Sequence, residues 1–155
     1  MKKIIFTILS LLFFASSAYA EKGDMAAGVN MGYGTSIETI YLGAKFQYGF
    51  TDEIRAEAAF NHSFPNSNDD KLWDFEATAH FLFPLTEKAT VYPLGGFCFT
   101  KEYDGSDSRS NFGVNLGAGI ECNITDALKL GLEAKYQFVS NLDQAFINLG
   151  ITYKF

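Results

Sequence analysis

The chain has 155 residues, a length typical of one domain, and its 12 basic and 18 acidic residues give a net charge of −6. An acidic chain of this kind is unsuited to phosphate backbones, so we exclude nucleic-acid partners. After residue 20 the apolar residues alternate with Gly, Asn, Thr or charged residues. No apolar run approaches the ~20 residues of a membrane-spanning helix, which excludes a helical membrane protein.

The first twenty residues have the pattern of a secretory signal peptide. Two lysines precede an apolar core at residues 4–14, and residues 18–20 form an A-x-A cleavage site. An uncleaved anchor is the alternative, but this core is far shorter than the ~20 residues that cross a bilayer. We therefore predict a cleaved signal peptide at 1–20 and a single domain at 21–155.

Eight segments of the remaining chain alternate between apolar and polar residues, which is the period of a β-strand with two different faces. The predicted strands cover about 24–34, 38–48, 54–61, 73–83, 90–100, 112–121, 128–138 and 145–155. In the fifth strand Pro93 interrupts the pattern, and both Leu94 and Phe97 could belong to the apolar face. Its face assignment stays open.

The last strand puts Ile147, Leu149 and Ile151 on one face together with Tyr153 and Phe155. Its other face is polar, and the strand ends on an aromatic residue. This ending resembles the C-terminal sorting signal of outer-membrane β-barrel proteins. The resemblance implies that Tyr153 and Phe155 form an assembly signal for the barrel-assembly machinery.

The connections between the strands differ in length. Those near residues 50–52 and 123–126 are tight turns of similar type, and 84–89 is only a little longer. Residues 64–71 and 101–111 are longer, polar and acidic. Outer-membrane barrels show this asymmetry, so we expect the short turns in the periplasm and the long loops outside the cell.

Alternation alone does not say which face is outside, and a soluble lipocalin-like barrel would turn its apolar face inward around a ligand. Here the polar face carries five charges of each sign, and the apolar face is too rich in Phe and Trp for an eight-stranded lumen. We therefore predict a polar interior with paired charges and an apolar exterior with two aromatic girdles. The interior charge cluster comprises Lys45, Arg55, Glu57, Asp74, Glu76, Glu121, Lys129, Glu133 and Lys135.

Within this cluster we expect Arg55 to lie beside Glu57 and to face Lys45, Asp74 and Glu76 on the neighbouring strands.

The signal peptide, the eight strands and the terminal aromatic cover essentially the whole chain. Together with the segment 112–121 and the turn that follows it, they resemble the small outer-membrane β-barrel family that includes the OmpX-like and OmpA transmembrane-domain proteins. The resemblance implies an all-β fold, an eight-stranded antiparallel up-and-down transmembrane β-barrel in the bacterial outer membrane. It also implies contact with outer-membrane lipid and lipopolysaccharide.

Catalytic and metal sites are not predicted. His62 and Ser63 are adjacent in a strand and so point to opposite faces, and we interpret His80 as a buried hydrogen-bonded histidine. The acidic stretches 102–107 and 69–70 lack the spacing of a known calcium loop. We expect no enzyme, cofactor or metal.

The two cysteines are predicted not to form a disulfide bond with each other. Pairing about the third long loop places Cys98 opposite roughly Gly113, with Cys122 some nine residues further along the strand. That is about 30 Å, beyond the limit for a disulfide.

Two functions remain open. The first is a non-catalytic structural or surface-interaction role, in adhesion or envelope integrity, through extracellular loops that contact a host or cell-surface ligand. The alternative is a narrow porin-like pore for small solutes or ions, although an eight-stranded lumen is just wide enough to be filled by its own side chains.

Overall fold

The computed structural model describes residues 22–35, 38–64, 70–104, 107–140 and 143–155. The predicted signal peptide lies outside these residues. The strands are β1 (Met25–Gly34), β2 (Thr39–Gly49), β3 (Ile54–Phe64), β4 (Asp70–Phe81), β5 (Phe83–Pro84), β6 (Ala89–Asp104), β7 (Asp107–Asn123), β8 (Leu128–Val139) and β9 (Gln144–Lys154). No helix in the described ranges is long and apolar enough to cross a membrane.

The eight long strands close into one antiparallel barrel. Neighbours along the chain pair with each other, β9 returns to pair with β1, and β4 pairs directly with β6. The two-residue β5 continues the register of β4 along β6. This arrangement confirms the predicted eight-stranded up-and-down barrel.

Pro93 accounts for both the ambiguous pattern of the fifth predicted strand, which is β6, and the break between β4 and β5. The break lies opposite Tyr92 and Pro93, and proline has no N–H to donate to a neighbouring strand. Alternation nevertheless continues through Pro93: Leu94 is buried in the lumen, and Phe97 is 58% exposed on the outer wall. The fifth predicted strand therefore has Phe97 on its outer face and Leu94 on its inner face.

The polar face is inside and the apolar face is outside. Arg55 and His80 are 3% and 1% exposed, whereas Val29 and Phe112 are 64% and 63% exposed. Such a continuous apolar surface is suited to lipid rather than water. The face assignment is confirmed, and the soluble lipocalin-like alternative is wrong.

One predicted loop is mostly strand. Residues 101–111 were expected as a long loop, but β6 runs to Asp104 and β7 begins at Asp107, and the two pair all the way to their tips. Apart from Tyr103, both faces of this hairpin are polar, so its sequence lacks the apolar alternation that marks a strand. The backbone pairing nevertheless continues through it.

Three turns at one end of the barrel share a single hydrogen-bond pattern. The hydroxyl of Thr51 accepts bonds from the N–H groups two and three residues later, at 3.2 and 3.0 Å. Thr86 and Thr125 repeat these bonds in their own turns. We call this the short-turn end and the opposite end the loop end.

Candidate functional site: the barrel lumen

The predicted charge cluster lies in the lumen, because the inward positions of the strands alternate with the outward ones. The lumen has two regions. The short-turn half contains Arg55, His80, Tyr92, Glu121 and Lys129. The loop half contains Tyr41, Asn61, Asp74, Glu76, Lys135, Gln137, Gln144 and Phe146.

Arg55 is the centre of the short-turn half. Its Nη1 donates to both carboxylate oxygens of Glu121, at 3.0 and 2.9 Å, and its Nη2 donates to Nδ1 of His80 at 3.0 Å. The guanidinium carbon lies 5.1 Å from the ring centroid of Tyr92. Lys129 adds a second cation to Glu121 at 3.2 Å. This half contains an ion-pair network centred on Arg55.

The partner of Arg55 differs from the expected one. The register of β3 and β4 places Arg55 level with His80, whereas Asp74 and Glu76 lie opposite Asn61 and Ala59, further towards the loop end. Arg55 therefore reaches across the lumen to β7 instead of along the wall to Asp74 and Glu76.

His80 is held between neutral and cationic neighbours. Because Nδ1 accepts from Arg55, the proton lies on Nε2, which donates to the hydroxyl of Thr78 at 3.1 Å. The ring stacks on Tyr92 with centroids 4.6 Å apart and planes 9° apart. Both ring nitrogens are engaged.

Two carboxylates lie between the halves. Glu57 is 3.4 Å from Lys45 and accepts a hydrogen bond of 2.6 Å from Gln47. Glu133 accepts bonds of 3.2 Å each from the Tyr92 hydroxyl and from Asn148.

A metal-like grouping occurs at this level. Ligand-type atoms of Glu57, His80 and Glu133 lie within 4.8 Å of one another. However, Arg55 and Thr78 occupy both nitrogens of His80, and the carboxylates are already hydrogen-bonded. The contacts are those of a hydrogen-bond network.

The loop half contains a second ion pair and several hydrogen bonds from amide and hydroxyl groups to carboxylates. Lys135 contacts Glu76, which also accepts a bond of 3.0 Å from Asn61. Asp74 accepts bonds from Thr100 at 3.1 Å and from Gln137 at 3.3 Å.

Some lumen residues are apolar and were not predicted. Leu82, Tyr92 and Leu94 form a buried cluster near the short-turn end, and Phe146 is buried in the loop half. The polar-inside pattern gave no signal for them, since a small barrel fills its interior with whatever side chains fit. Continuing the alternation of β6 through Pro93 would have placed Tyr92 and Leu94.

The remaining candidate residues lie on the wall. Ser63 is buried in the lumen, whereas the ring of His62 lies outside, 4.2 Å from that of Trp73. The expected opposite orientation is confirmed, so these two side chains cannot act as a nucleophile and base. In the two acidic stretches, residue 69 and residues 105–106 lie outside the described residues.

The cysteine register is as expected. Cys98 pairs with Gly113, and Cys122 pairs with Ala89 at the short-turn end. Both thiols are free; Cys98 is buried and Cys122 is exposed.

The predicted assembly residues lie at the short-turn end. Tyr153 and Phe155 are 56% and 66% exposed on the outer wall. The backbone N–H of Phe155 donates to the carbonyl of Met25 at 3.0 Å, which joins the last strand to the first.

The family comparison agrees with this architecture. Residues 6–155 match the family model described as outer membrane protein beta-barrel domain. The chain belongs to this family. It is accordingly an outer-membrane β-barrel of bacteria, with an apolar wall in the membrane. No match is found among curated proteins.

Solved structures show the same fold. The N-terminal β-barrel domain of Pseudomonas aeruginosa OprF aligns with a TM-score of 0.74 at 12% identity, covering 86% of this chain and 98% of that one. Neisserial surface protein A aligns at 0.67 and 16%, covering 85% and 96%. Ail, the attachment invasion locus protein of Yersinia pestis, aligns at 0.60 and 19%, covering 86% and 99%.

Proposed function

We propose that this outer-membrane β-barrel is non-catalytic and acts at the cell surface through its loop end, in adhesion or envelope integrity. The observation that carries the proposal is the hairpin of β6 and β7. Its strands are 16 and 17 residues long, the longest in the described part of the chain.

The hairpin extends beyond the wall of the barrel. β7 meets β8 only from Gly113 onwards, so residues 107–112 have a strand partner on one side, β6. Residues 107–110 are exposed. The other side of this segment offers backbone N–H and C=O groups to which an extended segment of a partner protein can add as a further strand.

A neighbour in fold supports a surface role by analogy. Ail has been crystallised in complex with the heparin analogue sucrose octasulfate. We extend to this chain only the idea that the loop end meets an external ligand.

The test shortens the hairpin and keeps the rest of the barrel: residues 70–73 of β4 lose their β6 partners, and the pairing from Asp74 and Thr100 onwards remains. Thr100 and Asn111 face each other, so residues 101–110 can be replaced by Asn-Gly, which forms a two-residue hairpin turn. A matched control keeps the length and changes Lys101, Glu102 and Arg109 to Ser. Cells displaying the shortened barrel should lose binding to host cells or to other bacteria, while still showing a heat-modifiable barrel.

The control separates two explanations. Retained binding in the triple-Ser variant supports the backbone edge, and lost binding there assigns recognition to the charges. Unchanged binding of the shortened variant, with the barrel folded, would refute the surface role of the hairpin.

The narrow-pore alternative is disfavoured by the contacts inside the lumen. Arg55, Glu121 and Lys129 bridge strands on opposite sides of the short-turn half.

We further infer export through cleavage after residue 20 and assembly through Tyr153 and Phe155. Changing Phe155 to Asp should leave the protein in the periplasm. A normal heat-modifiable barrel in the outer-membrane fraction of that variant would contradict the inference.

A further inference from the structure

The loop half of the lumen encloses a small cavity that several polar side chains line. Its free volume is about 10 Å³, room for about one water molecule or one small ion. Its polar lining comes from Tyr41, Asn61, Ser63, Asp74, Glu76, Gln137 and Gln144.

The charged side chains of the lumen as a whole are not balanced. The lumen side chains that the structure describes include the cations Lys45, Arg55, Lys129 and Lys135 and the carboxylates Glu57, Asp74, Glu76, Glu121 and Glu133. There is one more carboxylate than cation. Lys154 does not supply the missing charge, because it pairs with Asp24 at the rim, at 2.7 Å.

The excess negative charge is at Asp74. Glu57, Glu76, Glu121 and Glu133 each have a basic group within 4.0 Å, whereas no ion pair of Asp74 occurs among the described residues. Asp74 is 6% exposed and accepts hydrogen bonds from the neutral groups of Thr100 and Gln137. Its carboxylate also lies close to that of Glu76, which adds a second negative group beside it. A buried carboxylate without a counter-charge is costly.

A second observation points into the same cavity. Gln137 donates its amide N–H to Asp74, so its own oxygen is left to accept from Gln144 Nε2, at 3.2 Å. This relay fixes both amide orientations. It leaves the Gln144 oxygen buried without a partner, in a side chain that is 1% exposed. The hydroxyl of Tyr41, also 1% exposed, is likewise without a partner.

We propose that this cavity binds one sodium ion, with the Asp74 carboxylate and the side-chain amide oxygen of Gln144 as ligands and the Tyr41 hydroxyl beside them. All of these are oxygen donors, which hard cations prefer. One positive charge restores neutrality, whereas a divalent ion would leave an excess charge beside Lys135. The small volume favours sodium over potassium.

The experiment measures unfolding of the full barrel in detergent micelles. The unfolding midpoint should rise as sodium chloride replaces choline chloride at constant ionic strength, because an ion that binds only the folded state stabilises it. Potassium chloride should have a smaller effect. Broadening of the ²³Na NMR signal by the folded protein provides a direct measure of binding.

Three variants locate the site. Asp74→Asn should abolish both the sodium-dependent shift and the ²³Na broadening. Gln144→Leu, which removes the carbonyl, should move the shift to higher sodium concentration. Glu121→Gln, a matched carboxylate-to-amide change in the short-turn half, should keep the full sodium response even if its midpoint is lower.

Several results would overturn the proposal. These are equal midpoints in sodium and choline for the unmodified protein, a sodium response that survives in Asp74→Asn, or a calcium effect larger than that of sodium at matched concentration. The first would mean that water or a shared proton fills the cavity, and the second that sodium binds elsewhere. The third would mean that the charge argument is wrong.

Discussion

The two halves of the lumen bury charge in different ways. In the short-turn half Glu121 pairs with Arg55 and Lys129, and Arg55 also contacts His80 and Tyr92. In the loop half the described donors to the Asp74 carboxylate, Thr100 and Gln137, are neutral. The comparison indicates that charge pairing closes the short-turn half, whereas the loop half contains a carboxylate beside which a cation can bind.

The largest difference is expected from removal of the central cation. Arg55→Ala leaves Glu121 with only Lys129, and His80 without its donor. Breaking a buried pair in this way costs about 3–5 kcal/mol. Reversible urea unfolding in liposomes measures it, with Lys88→Ala on an exposed short turn as the control. If the two variants were equally stable, the short-turn half would be solvated rather than tightly paired.

A smaller loss of stability is expected when a charge is added to the lipid-facing outer wall, which surrounds both halves of the lumen. Leu132 is 51% exposed to the lipid side, so Leu132→Arg should cost about 2–4 kcal/mol. Ile124 lies in a short turn, where the same change to Arg should cost only about 0–1 kcal/mol because the penalty falls towards the interface. Equal costs at the two positions would show that Leu132 is not at membrane depth.

The smallest differences in stability are expected when one tyrosine hydroxyl is removed from each half of the lumen. Tyr92→Phe removes a hydrogen bond to the Glu133 carboxylate and should cost about 1.5–3 kcal/mol. Tyr41→Phe removes a hydroxyl that has no partner, so in sodium-free buffer its cost should stay below about 0.5 kcal/mol. Unfolding midpoints in choline chloride measure both. A reversed order would contradict the distinction between the halves.

The sequence predicted whether most side chains point into the lumen or towards the lipid, because successive side chains of a strand point to opposite faces whatever the neighbouring strands are. Arg55, Glu57 and Glu133 could thus be placed inside, and Leu132 and Phe112 outside. Even Cys98 and Gly113 could be paired, since both are close to one hairpin.

Partners across the lumen did not follow from the sequence. Arg55 and Glu121 are 66 residues apart, and their contact depends on the stagger of several strands at once. The hairpin beyond Thr100 was missed for another reason: outside the membrane neither face must be apolar, so the period-two pattern disappears while the backbone pairing continues.

Closure of the lumen by Arg55, Glu121 and Lys129 can be measured by single-channel recording in planar bilayers. The unmodified barrel should show no steady conductance, and Arg55→Ala should conduct more than it does. A steady, ion-selective conductance of the unmodified protein would contradict this closure and would favour the narrow-pore function.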